Sequence, residues 1–194
     1  MNTLIMEQTE HGEVPMDVYQ KLAKDRILFI TDYIDDDVAT DLIATLLLKD
    51  QEDSDAKIRL LVNSPGGDIR NTFMIYDVMM MIHAPIEVLC MGAAMDEAAI
   101  ILAGGRKGMR LATKNAIISV SQLSNPWHMH TNLVDAKRLM DQFNTDNDRL
   151  LEIYSKATGK TVKQLRTELD RRTFLSAQKA MKFGLIDKIV TPNK

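Results

Sequence analysis

The stretch Ile58-Arg59-Leu60-Leu61-Val62-Asn63-Ser64-Pro65-Gly66-Gly67-Asp68 decides how this chain folds. Residues 58–62 form a short apolar run that turn residues end abruptly, the pattern of a buried strand. From Asp68 a helix is predicted up to His83, where Ala84-Pro85 stops it, because the residue before a proline is driven out of the α region. Residues 86–91 read as the next strand, running into Gly92, and residues 93–104 as a helix of small residues ended by Gly104-Gly105. Upstream, residues 27–30 make a short strand after Lys24-Asp25-Arg26. Asp35-Asp36-Asp37 then supply an N-cap and first-turn negative charge to a helix that carries Val38, Ala39, Leu42, Ile43 and Leu46. Downstream, residues 111–113 and 116–120 are two further strands. Strand–helix alternation of this kind predicts parallel βαβ units, hence an α/β fold.

Beyond residues 122–131 the pattern changes. Leu133, Ala136, Met140, Phe143, Leu150, Tyr154 and Ala157 recur at three- and four-residue spacing. The spacing predicts one helix over 133–157, about 38 Å long at 1.5 Å per residue, which must protrude from a core of this size. Its apolar stripe then needs a partner, and the same helix of another subunit supplies one. Thr158-Gly159-Lys160 closes it, and residues 162–169, 177–183 and 186–190 finish the chain as helix, helix and strand. Residues 1–16 read as a loosely held polar arm.

Composition narrows the function. The chain has 194 residues, 45% apolar and 26% charged, which is globular rather than disordered. With 24 Lys+Arg against 27 Asp+Glu the net charge is −3, which offers nucleic acid no basic footprint. No apolar run approaches the roughly 18 residues of a membrane span, and no basic-then-apolar leader opens the chain. One cysteine, Cys90, cannot form an intrachain disulfide, so a reducing, cytoplasmic setting is expected.

Two places could hold chemistry. Ser64-Pro65-Gly66-Gly67, between strand and helix, either cradles an oxyanion or phosphate with free N–H groups or serves only as a tight turn. Gly92-Ala93-Ala94-Met95-Asp96-Glu97 is a second strand-to-helix turn, where α/β hydrolases present a nucleophile. Here it presents two carboxylates, which also read as plain helix-start capping residues. His128-Met129-His130 offers two imidazoles without a third ligand at a metal-binding spacing, and no metal or cofactor is expected. Cys90 reads as a small core residue, and the 13 methionines, with Met79-Met80-Met81 together, as core or interface filler.

Several further motifs occur in order. Glu7-Gln8-Thr9 with Gly12 and Asp17-Val18-Tyr19 come first, followed by Asn63-Ser64-Pro65-Gly66-Gly67, Ile75-Tyr76-Asp77 and Cys90-Met91-Gly92. Lys107-Gly108-Met109-Arg110, Phe174-Leu175-Ser176-Ala177 with Ala180, and Phe183-Gly184-Leu185-Ile186-Asp187 complete the series. From Ile5 to Val190 this resembles the ClpP family, the barrel-forming serine peptidases of the ATP-dependent Clp machines. The resemblance implies a crotonase-like α/β spiral with a protruding handle helix. It implies one domain over 1–194, divided into an axial arm (1–18), core (19–121), handle (122–160) and C-terminal core (161–194). It also implies heptameric rings stacked as a double ring with ClpP-type subunits of the same or another kind, and an AAA+ Clp chaperone as a further partner. The setting implied is the cytoplasm, or an organelle stroma if the chain is plastid-encoded.

The resemblance breaks at the catalytic positions. The family's nucleophilic serine falls on Asp96, its histidine on Ser121 and its aspartate on Arg172, with Asp170 two residues away. Gly67 and Glu97 stand at the oxyanion-donor positions. At the chaperone cleft the resemblance places Arg59, Leu61, Leu111 and Thr113, so that a charged Arg59 must be desolvated or displaced there. Acyl transfer needs a nucleophile, a base in reach and a group to orient that base, and none of the three remains in place. The expectation is a non-catalytic subunit resembling the ClpR paralogues. One alternative is a peptidase with a rearranged site in which Ser121 is served by His128 or His130. Another is a crotonase-type acyl-CoA enzyme working at the two Gly-rich turns.

Overall fold

A computed structural model describes residues 4–9, 12–123 and 132–191. Strands β3 (Ile27–Ile30), β4 (Ile58–Ser64), β5 (Ile86–Ala94), β6 (Arg110–Thr113) and β9 (Lys188–Val190) lie side by side in that order, all parallel. Along β4, Ile58, Leu60, Val62 and Ser64 are buried while Arg59 and Asn63 are exposed, so one face of the sheet is core. Helices α2 (Asp36–Glu52), α3 (Ile69–Met81) and α4 (Glu97–Ala103) cover that face with Leu42, Leu46, Ile75 and Met79. Every residue of α4 from Ala98 to Ala103 is buried, which accounts for its apolar, mostly small composition. Asp35 and Asp68 cap α2 and α3 by accepting from backbone N–H groups of the first turn.

β5 carries more than its register with β4. Its last residues, Ala93 and Ala94, pair in parallel with β7 (Ile117–Val120), which pairs antiparallel with β8 (Thr173–Ser176). This side branch brings Ser119 opposite Phe174 and Val120 opposite Thr173, and so draws the chain around residue 172 back toward the end of β5. Gly92-Ala93-Ala94 therefore belong to the strand, and α4 begins at Glu97 rather than at residue 93.

Helix α5 (Leu133–Thr158) has the extent the spacing predicts, but its stripe does two different things. Leu150, Tyr154 and Ala157 are buried in the core, whereas Leu133 is 90% exposed and Met140 41% exposed. The first half of the helix thus projects and the second half anchors it. Helices α6 (Val162–Glu168) and α7 (Ala177–Phe183) follow as predicted.

The N-terminal arm departs from expectation. Strands β1 (Leu4–Thr9) and β2 (Gly12–Asp17) form an antiparallel hairpin, and Glu7 accepts from Lys21 and Lys24 on helix α1 (Val18–Lys24). The helix is closed by a capping box in which Asp17 and Gln20 satisfy one another's backbone N–H groups. Helix α1 and strand β8 are elements that the sequence reading leaves out.

The sheet's far edge is locked by charge. Arg110, 1% exposed, donates to both carboxylate oxygens of Asp187 at 2.9 and 2.6 Å and to the Ala157 carbonyl at 2.9 Å. Burial alone would raise the Asp187 carboxyl, but the Arg110 side chain and the N–H groups of Arg110 and Gly108 hold it below the ordinary value. A depressed native pKa stabilises the fold fully above the unfolded value of about 3.9, and that contribution is lost as pH falls through the native one. Arg110→Met should cost about 3 kcal/mol by leaving the Asp187 carboxylate with only its backbone N–H donors and the more distant Lys107, and Arg110→Met with Asp187→Asn should cost less. Thermal unfolding at pH 7 and pH 3 checks this: the cost of Arg110→Met should shrink in acid.

Candidate functional site

Only Met95 and Asp96 separate the end of β5 at Ala94 from the start of α4 at Glu97. To turn so sharply, Asp96 adopts φ 46° and ψ −105°, a left-handed conformation that costs about 1–3 kcal/mol for a residue with a Cβ. Its neighbours hold it there. The Asp96 N–H donates to the Ser119 carbonyl at 3.0 Å and to its hydroxyl at 3.2 Å, and the Tyr154 hydroxyl donates to the Asp96 carbonyl at 3.3 Å.

The Asp96 side chain is just as fully engaged. Its Oδ1 accepts from the Ser119 hydroxyl at 2.7 Å and from the Ser121 hydroxyl at 3.1 Å, and its Oδ2 lies 2.7 Å from Arg172 Nη2. Asp96, Ser121 and Arg172, separated by dozens of residues in sequence, thus meet at one carboxylate, and Arg172 rather than Asp170 makes the contact. Ser119 is the member that sequence reading missed. It lies on β7, two residues before Ser121, which follows the strand's end at Val120, and the i, i+2 spacing of two serines is the signal available in the sequence.

The Gly66-Gly67 turn faces the same space. The Gly67 N–H donates to Glu97 Oε2 at 3.3 Å. A Cβ on Gly66 would stand 2.7 Å from that same oxygen, and one on Gly67 would stand 2.4 Å from Ile34, so the close approach requires glycine at both. Burial pushes the Glu97 carboxyl above its ordinary value, and the neighbouring Asp96 charge adds to this. Hydrogen bonds from the Glu97 and Gly67 N–H groups and the Arg172 charge oppose the shift without cancelling it. Gly67, Asp96, Glu97 and Arg172 line a cleft of about 360 Å³ together with Leu123 and Phe143.

The other sequence candidates lie elsewhere. Cys90 is buried and its thiol is pushed up to about 12, a core residue rather than a thiolate. His128 and His130 lie outside the described residues. Arg59, Leu61, Leu111 and Thr113 share the sheet face opposite the core, where register sets Leu61 beside Leu89 and Leu89 beside Leu111. Arg59, the charge expected there, has a partner on the neighbouring strand. It donates to Glu87 Oε1 at 2.5 Å, while Lys57 donates to Oε2 at 2.8 Å. Burial would raise the Glu87 carboxyl, but these two cations hold it below the ordinary range.

A strained strand-to-helix elbow beside a Gly-Gly amide turn is the frame on which α/β proteins build acyl-transfer sites. The family model for Clp protease matches residues 10–193, and the chain belongs to that family, with the assembly into rings that this implies.

The ion pair at the elbow is intermediate in exposure, with the Asp96 side chain 16% exposed and that of Arg172 52%. A cycle of Asp96→Asn, Arg172→Gln and both should therefore show a coupling of about 1 kcal/mol, above most surface pairs and below a buried one. Thermal unfolding of the assembled protein measures it, and strict additivity would mean that the two side chains act independently.

Proposed function

We propose that this chain is a non-catalytic subunit of a Clp protease barrel, similar in kind to the ClpR paralogues, with a structural and regulatory role in ATP-dependent proteolysis. The observation that carries the reading is the carboxylate at the elbow. Asp96 stands where the fold presents a nucleophile, and it is tied up by Ser119, Ser121 and Arg172. A carboxylate is a poor nucleophile toward an amide, and the described residues bring no histidine to it. Ser121 spends its proton on Asp96 instead of sharing it with a base. Members of a triad act as a unit, so substitution at all three positions leaves only background turnover.

The subunit's contribution is then to assembly. The projecting half of α5 exposes Leu133, Val134 and Met140, a surface suited to the equivalent helix of an opposing subunit, whether of this chain or of an active ClpP. The purified protein should cleave neither short fluorogenic peptides nor unfolded protein, alone or with an AAA+ Clp chaperone. Turnover above background overturns the reading, and its disappearance in Ser121→Ala would assign it to a rearranged serine site.

The sheet face bearing Arg59, Leu61, Leu111 and Thr113 is the proposed chaperone cleft, and the Lys57–Glu87–Arg59 cluster makes it polar at one end. An inserted apolar loop must desolvate that cluster or displace it, which weakens docking. Arg59→Tyr should therefore tighten binding to an AAA+ Clp chaperone severalfold in a titration followed by fluorescence anisotropy. Unchanged affinity would remove the cleft argument.

A further inference from the structure

Glu97 does something that the loss of the triad neither requires nor explains. Its side chain does not leave for solvent, although it sits in the first turn of a helix at the wall of a cleft. It turns back over the Gly66-Gly67 turn, and its Oε2 accepts the Gly67 N–H at 3.3 Å. The approach is close enough that even a Cβ on Gly66 would collide with that oxygen at 2.7 Å. The carboxylate thus takes the donor that the turn aims into the cleft, and with it the position where an incoming carbonyl oxygen would have to sit to be polarised. The location is costly for a charge. The side chain is half-buried, the Asp96 carboxylate adjoins it, and the enclosed Tyr154 phenol is itself pushed upward by burial and then by Glu97 and Asp96. Arg172, already 2.7 Å from Asp96, is the positive charge that acts on Glu97, and Arg70 stands elsewhere in the lining of the cleft.

We infer that Glu97 is a built-in occupant of the Gly67 amide cradle, an intramolecular contact that closes the site to substrate carbonyls whatever stands at positions 96, 121 and 172. The inference rests on the proposal that those three positions mark a former peptidase triad, and it adds a second, separate block. The first block removes the nucleophile and its base. The second fills the place where negative charge would develop. A chain with its triad restored would still lack the electrostatic stabilisation that one cradle donor supplies, an effect of about a hundredfold to a thousandfold on rate.

Two measurements test it. In TROSY spectra of the assembled protein, the Gly67 amide resonance of the native chain should move as Glu97 titrates and stand still over the same pH range in Glu97→Gln. A Gly67 amide that is pH-independent in the native chain, or that moves equally in both, overturns the contact. The second measurement starts from Asp96→Ser/Ser121→His/Arg172→Asp, with and without Glu97→Ala, and follows labelling by a fluorophosphonate. In that reaction the introduced hydroxyl bonds to phosphorus, fluoride leaves, and the introduced imidazole takes the hydroxyl proton, while the phosphoryl oxygen must enter the cradle. Labelling should be at least tenfold faster when Glu97→Ala is present. Equal rates overturn the second block. Labelling of neither variant overturns the triad assignment instead, and the Gly67 amide then reports on the contact by itself.

Discussion

A residue with a Cβ cannot hold φ 46° and ψ −105° unless its surroundings insist on it, and at Asp96 three elements insist. Behind it, Ala94 still pairs with Ile118 of β7 and with Ser64 of β4. Ahead of it, Glu97 is already helical, and α4 is pinned in the core along almost its whole length. The chain has two residues in which to turn from sheet to helix, and the strain falls on the second. Ser119 and Tyr154 take up its backbone N–H and carbonyl. The rest of the site follows from that geometry. Whatever side chain stands at 96 is presented to β7 and to the segment leading into β8, so Ser119, Ser121 and Arg172 become its neighbours by topology.

Placing a carboxylate at that point creates a demand for donors, and the residues found there meet it. The hydroxyls of Ser119 on β7 and of Ser121 just beyond it, with one guanidinium, surround Asp96, so protein donors compensate its charge. The positive charge at 172 would be unfavourable beside a histidine base and is favourable beside an aspartate. The side chains at 96, 121 and 172 are thus physically consistent with one another, one acid with its donors gathered around it. On the proposed reading, Asp96→Ser alone should not yield a peptidase, because it supplies a hydroxyl without a base and strips Arg172 of its partner.

The βαβ frame was legible because its strands are short, mostly apolar runs and two of its helices stop at proline or glycine, at Ala84-Pro85 and Gly104-Gly105. The long α5 was legible from its period, although the period does not distinguish the half anchored by Leu150 and Tyr154 from the half that projects with Leu133. Helix α1 and strand β8 were not: α1 depends on a capping box, and β8 exists because β7 offers it an edge, which is tertiary information. At the site, the residue types at 96, 97, 121 and 172 were all readable, and the Gly66-Gly67 turn announced itself. What pattern could not supply was direction. Nothing local says that Glu97 folds back onto Gly67, 30 residues away, or that Arg59 finds Glu87 across a strand pair. Those contacts are set by sheet register.

The polar groups of the cleft and of the open sheet face are therefore satisfied from within. At the cleft, Gly67, Ser121, Arg172 and both carboxylates already have partners in the chain. On the open face of the sheet, Arg59 and Lys57 converge on Glu87. A ligand entering either place must exchange bonds instead of adding them, so its net gain is small. Among the described residues, exposed apolar side chains bind without such an exchange, as with Leu133 and Val134 at the free end of α5, Leu4 and Met6 on the hairpin, and Phe174 beside β7. Burying apolar surface requires no prior bond to be broken, and it rewards a large, shape-matched partner over a small substrate. The balance of the surface thus favours contact with other subunits, in keeping with the ring assembly of the family.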